Sequence, residues 1–324
     1  MADTKVIFMG SAELSCASLS ALQKTPGMSV AAVVTQPDKP KGRHLKLTPS
    51  PVKERALETG LPVLQPRLAR DPAFISDLRT LAPDLVVVVA YGQILPPAVL
   101  EIPPSGCINV HTSLLPRYRG AGPIQRAILN GDAETGVTIM KMDAGLDTGP
   151  ILSQERTGIG PEDDARTLHD RLAQIGASLL VRTIPGYLAG NITPQPQPAH
   201  GVSYAPKITK QDGQIDWSQP ASVIWNKVRG LTPWPGAFTF ISAGGQPLRL
   251  KILKAIVEPI AAEPGRVVRA DKDGILTGCG KDALKILQLQ IEGGRPLNPQ
   301  QFLAGHELPG QLGFSGAAPS ASIQ

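Results

Sequence analysis

Asp84-Leu85-Val86-Val87-Val88-Val89-Ala90-Tyr91-Gly92 is the stretch on which the fold turns. From Leu85 to Val89 every position is apolar and four of the five residues are valine. That run has no alternation, so neither face is meant for water, and it is too short for a buried helix. Tyr91-Gly92 closes it. A strand of this kind belongs in the middle of a mainly parallel sheet with helices on both faces.

Working outward, residues 5–9 form a first strand that turns at Gly10-Ser11 into a helix over 13–24, with Leu14, Ala17 and Ala21 on one face and Pro26-Gly27 as its stop. A strand over 29–35, a helix from Pro51 to Thr59, a short strand at Pro62-Val63-Leu64 and a helix over 71–81 follow. This alternation is the doubly wound pattern, so the fold class is α/β with a Rossmann-like, mainly parallel sheet. Further strands are expected at 107–111 and 137–142, then a helix over about 161–183. Residues 190–206 contain four prolines and no apolar period, which reads as a linker. Beyond them the pattern changes to short strands separated by Gly and Pro, at 236–241, 248–255, 265–270, 274–277 and 283–290, as in a small OB-like β-barrel. The expected organisation is therefore a first domain over 1–189, the linker, a second domain over 207–314 and a frayed tail over 315–324.

A chain of 324 residues, 42% hydrophobic and 18% charged, is long enough for two such cores. Cys16, Cys107 and Cys279 are odd in number and unpaired in spacing, which supports neither a disulfide framework nor a zinc cluster. The start, Met1-Ala2-Asp3-Thr4-Lys5, runs straight into Val6-Ile7-Phe8-Met9 with no basic flank, so it reads as a strand rather than a signal peptide. No apolar run approaches the roughly 20 residues of a membrane helix. A cytoplasmic chain with no membrane contact is the expectation. Positive charge is concentrated in two places. Residues 36–55 carry Lys39, Lys41, Arg43, Lys46, Lys53 and Arg55 against Asp38 and Glu54, and residues 207–324 carry thirteen Lys and Arg against nine Asp and Glu. A polyanionic partner would feel that pattern; two ordinary solvated surfaces would also produce it.

The chemistry is densest in Asn109-Val110-His111-Thr112-Ser113-Leu114-Leu115-Pro116-Arg117-Tyr118-Arg119-Gly120. Asn109 and His111 share one face of a strand, where that strand ends, and ligands of open α/β sheets bind at such ends. An amide there can donate to an oxygen gaining negative charge while an imidazole handles a proton. A buried histidine that merely bonds a backbone carbonyl is the plainer alternative. Met142-Asp143-Ala144-Gly145-Leu146-Asp147-Thr148-Gly149-Pro150 brings two carboxylates to the same edge, either of which could orient the imidazole or simply cap a turn. Gly10 stands alone, with Ala12 and Ser15 where a dinucleotide fingerprint needs glycine, and no phosphate-loop motif occurs. The five histidines are scattered without metal spacing, so no metal is expected.

Asn109 through Gly120, extended by Ala121-Gly122-Pro123-Ile124-Gln125, together with Gly136-Val137-Thr138-Ile139-Met140 and residues 143–149, closely resembles the methionyl-tRNA formyltransferases, a resemblance that runs from Lys5 to about Phe314. It implies transfer of a formyl group from 10-formyltetrahydrofolate to the amino group of initiator methionyl-tRNA. Nothing in the sequence reads as a coiled coil or an exposed apolar edge, so a monomer is expected. The family's catalytic trio falls on Asn109, His111 and Asp147. Its folate-contacting positions fall on Ser113, Leu114, Leu115 and Pro116 and on Ala90, Tyr91, Gly92, Gln93 and Ile94. The stretch Thr35-Gln36-Pro37-Asp38-Lys39-Pro40-Lys41-Gly42-Arg43 resembles the start of an insertion that contacts the tRNA acceptor arm, which makes Lys39, Lys41, Arg43 and Lys46 candidate contacts. Lys207 and Lys210, in Tyr204-Ala205-Pro206-Lys207-Ile208-Thr209-Lys210, are candidates at the entry to the second domain. Departures are small: Ala12 and Leu14 replace a proline and an aromatic, Tyr118 replaces a frequent Trp, and Gly122 a common Ala.

Overall fold

The structure, a computed structural model, describes residues 3–41, 46–243 and 246–313. The strands are β1 (Thr4–Gly10), β2 (Met28–Val34), β3 (Lys39–Lys41), β4 (Lys46–Thr48), β5 (Val63–Leu64), β6 (Leu85–Val89), β7 (Cys107–His111), β8 (Glu134–Lys141), β9 (Ile151–Gly158), β10 (Ala237–Ala243), β11 (Gln246–Glu258), β12 (Val267–Asp271), β13 (Gly274–Gly278) and β14 (Ala283–Ile291). The helices are α1 (Leu14–Gln23), α2 (Pro51–Glu58), α3 (Pro72–Leu81), α4 (Pro97–Leu100), α5 (Pro123–Leu129), α6 (Ala165–Leu188), α7 (Ala221–Gly230) and α8 (Pro299–Leu303). Two compact units result. The first comprises Met1–Ile124, Glu134–Ile159 and Thr167–Lys207, and the second Gln125–Ala133, Gly160–Arg166 and Ile208–Gln324.

The first unit holds a seven-stranded sheet in the order β5-β2-β1-β6-β7-β8-β9. The valine strand β6 is its centre. All five of its residues are buried, and it runs parallel to β1 on one side and β7 on the other. Alternate residues face opposite ways, so Val86 and Val88 join Ile7, Met9 and Val34 in a cluster closed by Phe74 and Leu78 of α3 and Val99 of α4. Helix α1 packs on β1, β2 and β6, with Leu19 and Leu22 fully buried. Helices α2 and α3 start where a cap precedes a proline. Ser50 accepts from the Lys53 amide and Asp71 from the Ala73 amide, with Pro51 and Pro72 in the first turn, where no amide hydrogen is needed. The chain winds from β1 outward through β2 to β5, then returns to build β6 and β7 on the other side. That reversal opens a crevice at the carboxyl ends of β1 and β6.

Strands β8 and β9 run antiparallel, so the sheet is mixed at one edge. Strand β9 carries only two apolar residues, Ile151 and Leu152, at its start. An edge strand with one wet face needs no more, and so its sequence gives no strand signal. Lys39–Lys41 and Lys46–Thr48 pair antiparallel, while Arg43, between them in the sequence, lies outside the described residues. In the second unit all five strands expected from the Gly and Pro spacing form an antiparallel sheet in the order β10-β11-β14-β13-β12. Ile224 and Val228 of α7 fill its core with Leu250, Ile252, Leu284 and Leu289.

Because Ile7 is completely buried in the central cluster, Ile7→Ala should cost about 2–5 kcal/mol of first-unit stability, read from urea unfolding. A loss within the error of the unfolding curve would contradict that packing.

Candidate active site

Strand β7 delivers Asn109 and His111 to the carboxyl edge of the sheet on one face, opposite Met140 and Thr138 of β8. Both are buried, at 9% and 6% exposure. The chain then turns sharply, and buried hydrogen bonds set the turn. The Thr138 hydroxyl donates to the Ser113 carbonyl (2.7 Å) and accepts from the Leu115 amide (3.1 Å), while the Gln154 amide nitrogen on β9 donates to the Leu115 carbonyl (2.9 Å). Ser113 itself is fully buried and its hydroxyl donates to the Arg117 carbonyl at 2.6 Å. The loop comes back over β7, and His111 Nε2 lies 2.9 Å from the Tyr118 carbonyl oxygen. A carbonyl only accepts, so Nε2 carries a proton. Nδ1 is then the nitrogen that faces Asp147, 3.7 Å from its Oδ2.

Residue type and spacing left Asp143 and Asp147 equivalent, and only the family resemblance singled out Asp147; in the structure the two carboxylates have different surroundings. Asp143 is exposed, and its Oδ1 accepts from the Gly145 amide (3.0 Å) and the Thr148 hydroxyl (2.7 Å), so it caps its own turn. Asp147 points to His111, and its Oδ2 also accepts from the Gly120 amide at 2.7 Å. Its backbone is left-handed, with φ at 52°, as is that of Tyr118 at 60°. Gly149 allows the loop to close, since a Cβ there would lie 1.8 Å from the Lys141 carbonyl oxygen. Asn109 is the contrasting case. Among the described residues its side-chain amide has no hydrogen-bond partner, although the residue is nearly buried.

The stretch after β6 leaves the sheet through left-handed turns at Ala90 (φ 44°) and Gly92 (φ 79°). The Tyr91 side chain goes into the core rather than outward, and burial pushes its phenol up to about 12. Gln93 accepts from the Ala69 amide (2.8 Å) and so joins the two loops. Gly92, Gln93 and Ile94 line a cleft of about 960 Å³ with Gln36 and Leu68, and Ile94 is 83% exposed there. The trio does not line this cleft. Of the folate candidates beyond β7, Leu115 is buried while Leu114 and Pro116 are half-buried.

Lys39, Lys46, Lys207 and Lys210 are exposed, and nothing is described for the Lys41 side chain. The base of the β3–β4 pair is anchored by Asp38. Its carboxylate accepts from Lys53 (2.8 Å) and Gln65 (2.8 Å), and these bonds hold it below the usual carboxylate range. Lys207 closes the first unit and Lys210 belongs to the second.

Further positions shape the site. Thr138 gave a signal, a polar residue inside an apolar strand, because a buried hydroxyl must find partners. Gln154, Gln197 and Ser203 gave none. Among the described residues no group of three or more His, Cys, Asp or Glu could hold a metal ion, and no helix is long and apolar enough to cross a membrane.

Comparison with known proteins shows the family of the chain. Residues 4–184 match the family model described as formyl transferase, and residues 207–307 that of the formyl transferase C-terminal domain. A methionyl-tRNA formyltransferase of Geobacter sulfurreducens is 48% identical over 98% of this chain and 99% of its own length. One from Trichlorobacter lovleyi is 50% identical, with 95% and 96% covered. Among solved structures, an N-formyltransferase from Helicobacter canadensis in complex with folinic acid and dTDP-3-aminofucose superposes with a TM-score of 0.64 at 19% identity, over 87% of this chain and 98% of that one. HypX from Aquifex aeolicus in complex with tetrahydrofolic acid gives 0.61 at 16% identity, over 91% of this chain and 46% of that one. At those identities the likeness is one of fold.

Cys107 shares β7 with Asn109 and His111, yet burial pushes its thiol up to about 12, and that of Cys279 to about 11. Neither should be alkylated by iodoacetamide in the folded protein at about pH 8, near an ordinary thiol's value, and both should react in denaturant. Equal labelling by mass spectrometry in the two states would contradict this.

Proposed function

Because the chain belongs to the methionyl-tRNA formyltransferase family, we propose that Asn109, His111 and Asp147 are the groups with which it moves a formyl group from 10-formyltetrahydrofolate to the α-amino group of methionyl-tRNA. The observation that carries this reading is the partnerless Asn109 amide beside the His111 and Asp147 pair. An amide that no other residue engages keeps its donor for an oxygen that enters with the donor folate.

Asn109 donates to the formyl oxygen as the amine attacks the formyl carbon and charge moves onto that oxygen. His111 serves the same oxygen from Nδ1 when its ring is charged. The 3.7 Å separation from Asp147 exceeds the roughly 2.7–2.9 Å of a direct charged hydrogen bond, so the Nδ1 proton is not consumed by the carboxylate. Asp147 balances the charge on the ring. With Oδ2 occupied by the Gly120 amide, its Oδ1, without a partner among the described residues, accepts the proton lost by the amine. The oxyanion then collapses to the new amide carbonyl and the bond to the folate nitrogen breaks, as that nitrogen takes up the proton Asp147 had accepted and the carboxylate regains its charge. Ser113 is no nucleophile here, since its hydroxyl is spent on the loop, and the buried thiol of Cys107 is none either. The cleft at Gly92, Gln93 and Ile94 and the loop Ser113 to Pro116 are the proposed walls of the folate site.

The segment bearing Lys39, Lys41, Arg43 and Lys46 is proposed to lie on the phosphates of the acceptor stem, with Lys207 and Lys210 as further contacts. We assign the initiator methionyl-tRNA as the acceptor, a monomer as the working state and the cytoplasm as the place of action.

Asn109→Ala and His111→Ala should each lower the single-turnover rate of formylation by about 10²–10³. Unchanged rates would remove the trio from the chemistry. Arg43→Ala should raise KM for methionyl-tRNA and flatten its dependence on salt while folate binding stays as it was. Equal salt slopes for the two proteins would count against the segment's role.

A further inference from the structure

Residues 185–206 lie outside both matched regions, and the prolines of residues 190–206 read as a linker. Their hydrogen bonds are those of a strap. Gln195 exchanges two backbone bonds with Ile151 at 2.7 and 2.8 Å. Gln197 then turns its side chain inward. Its amide nitrogen donates to the carbonyl oxygens of Asp147 (2.7 Å) and Gly149 (2.8 Å), and its amide oxygen accepts from Arg119 at 2.7 and 3.1 Å. One side chain therefore ties the loop carrying Asp147 to the loop carrying Tyr118 and Gly120. Further along, the Ser203 hydroxyl accepts from the Tyr118 amide (2.9 Å), and Ala205 donates to the Arg119 carbonyl (2.7 Å) and accepts from the Gly122 amide (3.0 Å). Gly120 permits this approach, because a Cβ there would lie 2.9 Å from the Ala205 carbonyl oxygen.

The two loops are those that set the imidazole. Tyr118 holds Nε2 and Asp147 faces Nδ1. Asp147 adopts a left-handed backbone at a residue with a Cβ, a conformation that persists only where surrounding bonds enforce it. Both bonds that Gln197 gives are to carbonyls of that segment, one of them Asp147's own.

We propose that Gln197 is a positioning residue for formyl transfer: it keeps the Asp147 carboxylate in register with His111 by clamping the 147–149 backbone to the Tyr118 loop. The inference rests on the role given above to Asp147. It acts through Asp147 and touches no substrate, so its loss should appear in kcat and not in KM. A displacement of the carboxylate by about 1 Å would lower kcat by about 10- to 100-fold.

The test compares Q197A, Q197E, D147N and the double variant Q197A/D147N, with thermal melting followed in parallel. Q197E keeps the length and the acceptor toward Arg119 but loses both donors, so it stands in if Q197A does not fold. Q197A and Q197E should lose kcat to a similar degree, with KM for methionyl-tRNA and for 10-formyltetrahydrofolate within about 2-fold of the parent. In the D147N background, Q197A should change kcat by less than about 2-fold, because the group it positions is already disabled. A full loss in both backgrounds, or unchanged kcat in Q197E, would overturn the proposal while leaving Asp147's role standing. D147N with full turnover would overturn the role of Asp147 and this inference with it.

Discussion

The hydrogen bond between His111 Nε2 and the Tyr118 carbonyl is the contact on which the site depends. It decides which ring nitrogen carries the fixed proton, and so which nitrogen is turned to Asp147 and the space beside Asn109. The plain alternative for a buried histidine, a bond to a backbone carbonyl, is thus present here, and it serves the functional arrangement rather than replacing it. Tyr118 contributes through its backbone, which is why a Tyr at this position supplies what a Trp would.

A carbonyl can be aimed at a histidine only if the loop bearing it is rigid, and much of the local structure exists for that. Thr138 and Gln154 hold the inner part of the loop from β8 and β9, and Ser113 closes it on Arg117. Three of the residues other than glycine with positive φ, Ala90, Tyr118 and Asp147, sit at this edge of the sheet. Left-handed backbone at such residues costs on the order of 1–3 kcal/mol each, and dense hydrogen bonding around the site offsets it. The Asn109 side-chain amide has no such partner among the described residues, and its donor is what a formyl oxygen would satisfy.

Whatever depended on local pattern could be read from the chain. The Leu85 to Val89 run gave the central strand because burial on both faces leaves an unbroken apolar signature, and Asn109 and His111 fell on one face because strand geometry alternates strictly. Other features depend on tertiary partners. Asp143 and Asp147 have the same side chain in the same loop, so apart from the family resemblance only the approach of Gly120 and His111 tells them apart. Strand β9 has one wet face and few apolar residues to betray it. Residues 195–205 read as a tether because their bonds go to distant loops, and such bonds leave no periodicity in a proline-rich segment.

The most direct test of the account is the tautomer of His111, observed by nitrogen NMR on protein labelled only at histidine and assigned by the signal missing from His111→Ala. With the ring neutral at high pH, the proton should reside on Nε2 and Nδ1 should be bare. A bare Nε2 with the proton on Nδ1 would contradict the bond to Tyr118, and with it the orientation from which the chemistry was argued.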